Sequence, residues 1–131
     1  MKKYQLLLFI LVGLIHLSLV QGNEIEVSAK HGGILQKTEN VFLEVVQDKD
    51  KAKAHIYITG HDHKNIVDKS LSLSAIAHIK GKQYPIALSY ENDHYSTSPV
   101  NSYLHGEKNY VLMLTISFSG KVEKVSFPLE K

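Results

Sequence analysis

Lys53-Ala54-His55-Ile56-Tyr57-Ile58-Thr59-Gly60-His61-Asp62-His63 is the stretch from which the fold can be read. From Ala52 to Thr59, the residues Ala52, Ala54, Ile56 and Ile58 fall on one side, and Lys53, His55, Tyr57 and Thr59 on the other. Alternation with period two, carried by β-branched and aromatic residues, belongs to a strand with one buried face. Gly60 permits a bend at the strand end. His61-Asp62-His63 is then presented in a short polar loop: two imidazoles flanking a carboxylate.

The same pattern recurs outward from this strand. Val41 to Gln47 is valine-rich, and the polar turn Asp48-Lys49-Asp50-Lys51 makes it a hairpin partner of the Ala52–Thr59 strand. Upstream, Glu24–Ser28 reads as a short strand, His31-Gly32-Gly33 as a break, and Ile34–Thr38 as an edge-like piece. Downstream, Leu71–Ile79 alternates, Lys80-Gly81-Lys82 turns, and Gln83–Tyr90 follows as a strand that Pro85 confines to an edge or a bulge. Glu91–Glu107 is the one long irregular segment, a length that usually carries function. Lys108–Phe118 sends Tyr110, Leu112, Leu114, Ile116 and Phe118 to one side, and Ser119-Gly120-Lys121 turns into a last strand through Val125, Phe127 and Leu129. No amphipathic helical pattern competes. About seven short antiparallel strands predict an all-β fold, a single immunoglobulin-like β-sandwich. Its expected core includes Val45, Ile56, Ile58, Leu112, Leu114, Ile116 and Phe127.

The first 22 residues read differently. Lys2 and Lys3 precede an apolar run from Leu6 to Val20, and Val20-Gln21-Gly22 suits cleavage, the three-part pattern of a secretory signal peptide. The run is shorter than the roughly 20 residues of a spanning helix. The expectation is a cleaved signal at 1–22, one domain at 23–131, and a periplasmic or secreted protein with no membrane insertion after cleavage; the alternative is a segment retained as an uncleaved anchor. The absence of cysteine excludes a disulfide framework. Without Lys2 and Lys3, 13 lysines face 13 acids and there is no arginine, which argues against nucleic acid as a partner.

His31-Gly32-Gly33 before Phe42-Leu43-Glu44-Val45-Val46, the run Ile56-Tyr57-Ile58-Thr59-Gly60-His61-Asp62-His63-Lys64, Gly106-Glu107-Lys108-Asn109-Tyr110 and Ser119-Gly120-Lys121 together resemble a known pattern. It is that of small periplasmic β-sandwich proteins and domains associated with bacterial heavy-metal efflux systems. Gly60 stands where that pattern commonly has aspartate, and the proline expected after the Lys64 turn is missing. The resemblance implies an accessory protein that binds a transition metal and contacts an efflux-pump or adaptor subunit.

The histidines support a metal reading in their own right. Seven of the eight lie beyond residue 22, and neutral imidazole is a common ligand of zinc, copper(II) and nickel. A lone surface histidine is more often only a polar residue, and His55 and His78, inside strand patterns, read as structural. If consecutive strands alternate in direction, the His61–His63 loop and the Glu91–Glu107 loop share one rim. His61, His63, His94 and His105 then gather there, with Asp62 among them and Glu91, Asp93 and Tyr95 beside them. His31 is a further candidate ligand, expected at the opposite rim. With no cysteine and Met113 in a core strand, copper(I) is disfavoured, and zinc or copper(II) fits, with no metal required for folding.

No Gly-x-Ser-x-Gly turn, His-Glu-x-x-His helix or phosphate loop is present, so the chain does not read as an enzyme. The competing interpretation is a metal-free interaction module that uses strand edges and the tyrosine-bearing loop to contact a larger cell-envelope complex.

Overall fold

The structure, a computed structural model, describes residues 28–62, 64–66 and 71–131. The expected signal segment 1–22, most of the Glu24–Ser28 strand and His63 lie outside the described residues. The element order is β1 (Ile34–Lys37), β2 (Val41–Asp48), β3 (Lys53–Gly60), β4 (Ser72–Ile79), β5 (Lys82–Ile86), β6 (Leu88–Glu91), β7 (His94–Thr97), α1 (Asn101–Leu104), β8 (Asn109–Phe118) and β9 (Lys121–Glu130). The strands form two antiparallel sheets, ordered β1-β2-β3-β7-β6 and β5-β4-β8-β9, in a sandwich-like all-β arrangement. No described helix is long and apolar enough to cross a membrane.

Alternation in sequence becomes two-sidedness in space. On β3, Ala54, Ile56 and Ile58 are at most 3% exposed, while His55, Tyr57 and Thr59 face outward and are half-buried. Tyr110, Leu112, Leu114 and Ile116 of β8 and Phe127 and Leu129 of β9 meet Val41, Leu43 and Val45 of β2 in one apolar cluster. All seven residues expected in the core are there. Their burial supplies the main driving force, about 1.5–3 kcal/mol for each large aliphatic side chain taken from water.

The strand count departs from expectation, with nine among the described residues rather than about seven. Gln83–Tyr90 is two strands, because the chain leaves one sheet for the other at Ala87, whose carbonyl accepts from Ser98 N–H at 2.8 Å. Pro85, which has no N–H to donate, lies on edge strand β5, as its chemistry requires. The long Glu91–Glu107 segment is also ordered. Its first part makes the hairpin partner β7, and its later part the single turn α1.

Part of the open edge of β9 is covered by side chains of the other sheet. Gln36 Nε2 donates to Ser126 O at 2.6 Å, Gln47 Nε2 donates to Glu130 O, and Gln47 Oε1 accepts from Glu130 N–H. Satisfying edge groups in this way removes a template for pairing with another chain.

Candidate metal centre

β3 and β7 pair antiparallel with His55 opposite Ser96 and Ile56 opposite Tyr95, and β7 pairs β6 with His94 opposite Glu91. Because side chains alternate across a strand, these registers put His55, Ser96, His94 and Glu91 on the outer face of the five-stranded sheet. One donor atom each from His55, Glu91 and His94 lies within 4.8 Å of the others. His94 Nε2 is 3.6 Å from Glu91 Oε2. Ligand atoms on a tetrahedral zinc with bonds of about 2.0–2.1 Å stand roughly 3.3 Å apart, so only small side-chain movements separate this group from coordination.

The remaining ring nitrogens are already engaged. His94 Nδ1 donates to Asp93 Oδ1 at 2.8 Å, and His55 Nδ1 is 2.9 Å from Ser96 Oγ. With Nδ1–H of His94 donating to Asp93, its Nε2 carries the lone pair that a metal needs. A carboxylate behind a histidine fixes its tautomer and raises its basicity, the usual arrangement around ligating imidazoles. The hydrogen bond from His94 holds the Asp93 carboxyl below its usual range, against a smaller opposing effect of desolvation. The His94 side chain is only 16% exposed, whereas Glu91 is 53% exposed, so the group opens to solvent on the β6 side.

Rings form the other wall. Tyr57 contacts His94 at 4.9 Å between centroids, and His94 meets His55 edge-on at 5.0 Å. His31 stacks on Tyr57 at 3.7 Å with 9° between planes. Burial, with the charges of Asp93 and Glu44, pushes the Tyr57 hydroxyl up from its ordinary pKa, so it stays protonated. His31 is held by Glu44 on β2, whose Oε2 is 2.9 Å from His31 Nδ1. The same carboxylate accepts the backbone N–H groups of Lys30, His31 and Gly33 at 3.1, 2.7 and 3.0 Å. Gly33 is needed for this close approach, since a Cβ there would collide with the Val45 carbonyl oxygen.

The candidate ligands named from sequence are dispersed. His94 belongs to the group. His61 is exposed at the end of β3 with its ring 5.0 Å from Phe42, on the β2 side of the sheet. Asp62 Oδ1 accepts from Lys64 N–H at 3.1 Å and shapes that turn. His63 lies outside the described residues. His31 sits over Tyr57 on the outer face, not at a rim. His105 is carried to the other end of the sandwich, because β7 runs back toward Ala52, where Val100 N–H donates to Ala52 O at 3.0 Å. A strand uncounted between His94 and His105 therefore separates two residues that strand parity had joined. His55, read as structural, becomes a central member, and Glu91, expected beside the ligands, joins it. The signal for both lies in the β3–β7 and β6–β7 registers.

No protein-family model matches the chain, and no curated protein or solved structure matches it either.

Proposed function

We propose that this protein is an exported, immunoglobulin-like β-sandwich that holds a divalent transition metal, zinc or copper(II), on the outer face of its five-stranded sheet. The observation that carries this reading is the convergence of His55, Glu91 and His94, with Asp93 and Ser96 behind the two imidazoles. Two nitrogens and one oxygen suit a borderline metal and disfavour copper(I). Three protein donors leave at least one coordination position open, which favours exchange over permanent structural binding. Such a site fits an accessory protein that accepts a metal and passes it on. Its link to an efflux pump or adaptor subunit rests on the sequence resemblance, as the cleaved signal and periplasmic location rest on the pattern of residues 1–22. The core is apolar and continuous without the site, so the metal is cargo and folding does not depend on it.

The test is calorimetric titration of the purified protein with Zn²⁺ and, separately, Cu²⁺. One equivalent is expected to bind, with His55→Ala and His94→Ala each losing more than about tenfold in affinity and Asp93→Asn losing about 10–100-fold. His105→Ala and His61→Ala/His63→Ala should stay within about twofold of the parent, less than 0.5 kcal/mol. Unchanged binding in a His55→Ala/His94→Ala protein would overturn the assignment. Failure to bind either metal would leave the metal-free interaction module, for which Tyr90, 45% exposed on edge strand β6, is the natural contact.

A further inference from the structure

At the end of the sandwich away from the His61 loop, a cleft of about 270 Å³ opens between the β4–β5 turn and the segment that follows α1. Its floor is Ile79 and Leu104, 3% and 2% exposed. One wall is Tyr84 stacked on Tyr103, with centroids 4.7 Å apart and planes 25° from parallel. The mouth carries Lys80, Lys82, His105 and Glu107. An apolar floor, an aromatic wall and a few polar groups at the rim are the ordinary make-up of a small-molecule site, and the volume falls just below the usual range of about 300–1,000 Å³, which suits only a small ligand.

The cleft is pre-shaped. Lys80 and Gly81 at one side, and His105 and Gly106 at the other, have positive φ, which turns the chain sharply at both lips. Local turn bonds close α1 at both ends, Tyr103 N–H to Val100 O at 3.0 Å and Glu107 N–H to Leu104 O at 2.8 Å. Val100, 1% exposed, anchors the helical turn to the β2–β3 hairpin. Little ordering remains to be done when a ligand enters.

The charge balance narrows the ligand. Lys80 is paired with Glu107 at 3.3 Å, while Lys82 makes no ion pair among the described residues. The mouth therefore carries one uncompensated positive charge with His105 beside it, which complements one negative charge and not two. We propose that this cleft binds a small monocarboxylate bearing a flat ring, with the ring against the Tyr84–Tyr103 wall and the carboxylate at Lys82. The wider depression of about 610 Å³ across Lys80, bounded by His78, Val111 and Pro128, has no stacked aromatic wall and carries no comparable argument.

The experiment is a ¹H–¹⁵N NMR titration of the purified protein with benzoate, with benzyl alcohol and inorganic phosphate in parallel. Saturable benzoate shifts are expected at 80–82 and 103–107, with a dissociation constant on the order of 1 mM or below. Benzyl alcohol and phosphate should each bind at least about tenfold more weakly. Lys82→Gln should weaken benzoate at least about fivefold without changing the melting temperature, and Tyr103→Leu, which keeps an apolar side chain over the floor, should weaken it too. His55→Ala/His94→Ala should leave it unchanged, which separates this site from the metal centre. Absence of saturable shifts by about 10 mM benzoate would overturn the proposal, as would shifts centred elsewhere. Equal shifts with benzyl alcohol would reduce the cleft to an apolar hollow, and equal shifts with phosphate to a cationic rim. Either result refutes a ring-and-carboxylate site, and so does unaltered binding by Lys82→Gln.

Discussion

Glu44 is 4% exposed on an outward-facing strand position and still ionised, because the chain folds back to supply it with donors. Burial alone pushes its pKa up. The hydrogen bonds from the His31 ring and from the N–H groups of Gly33, His31 and Lys30 outweigh that, and the net displacement is downward. A carboxylate with a depressed folded-state pKa contributes stability that is present above its unfolded value, about 4.3, and is lost as pH falls through the folded value. Glu44→Gln keeps the shape and removes the charge. It should cost about 1–3 kcal/mol at pH 7, the range for hydrogen bonds to a charged group partly retained by the amide. The cost should shrink as pH drops below about 4.3, where the parent loses the same contribution. Urea denaturation of parent and variant from pH 3 to pH 7 checks both magnitude and convergence. Gly33→Ala attacks the same contact from the other side, pressing a methyl group onto the Val45 carbonyl. It should destabilise by about 1–3 kcal/mol, the usual cost of forced overpacking.

The β6–β7 hairpin brings together two of the three proposed metal ligands. Glu91 and His94 face each other across a two-residue turn in which Asn92 has φ of +54°. Left-handed backbone costs an ordinary residue roughly 1–2 kcal/mol, and asparagine and glycine tolerate it best. Asn92→Gly should therefore keep both stability and metal affinity. Asn92→Val should lose about 1–2 kcal/mol and weaken zinc binding together, because the displaced turn carries two of the three donors. Thermal denaturation and zinc titration of the two variants provide the comparison. This hairpin is also where the sequence is least legible. β3 and β8 announce themselves through eight or ten alternating residues, and Pro85 marks its edge strand by chemistry alone. His94-Tyr95-Ser96-Thr97 is only four residues, bounded by Pro99, and its strand character comes from pairing with β3, about 40 positions earlier in the chain. A single unseen strand reverses the rim on which everything after it falls, which is why His105 parted from His94. His55 was legible as an outward-facing residue of β3, whereas its partners depended on a register that no local pattern encodes.

The two sheets share one apolar cluster, so they should unfold together in a single transition. Leu114, fully buried on β8, reports on that shared core. Leu114→Ala should cost about 2–5 kcal/mol, and Lys64→Ala, on an exposed turn, less than about 0.5 kcal/mol. The proposed metal ligands come from three strands of the other sheet, β3, β6 and β7, so a metal that binds only the folded protein would stabilise the whole molecule by mass action. At a free zinc concentration of about 100 times the dissociation constant, the gain should be about 2.7 kcal/mol. Leu114 lies on the opposite sheet from the donors, and effects at distant independent sites add. The same zinc increment should therefore appear in the parent and in Leu114→Ala, shifting both melting temperatures upward from different starting points. His55→Ala/His94→Ala should melt near the parent temperature without zinc and show no shift with it. Differential scanning calorimetry of the three proteins, with and without zinc, decides the matter. An equal zinc shift in the double variant would place the metal elsewhere. Loss of cooperative melting on chelation of the parent would show that the metal is structural, contrary to its reading as cargo.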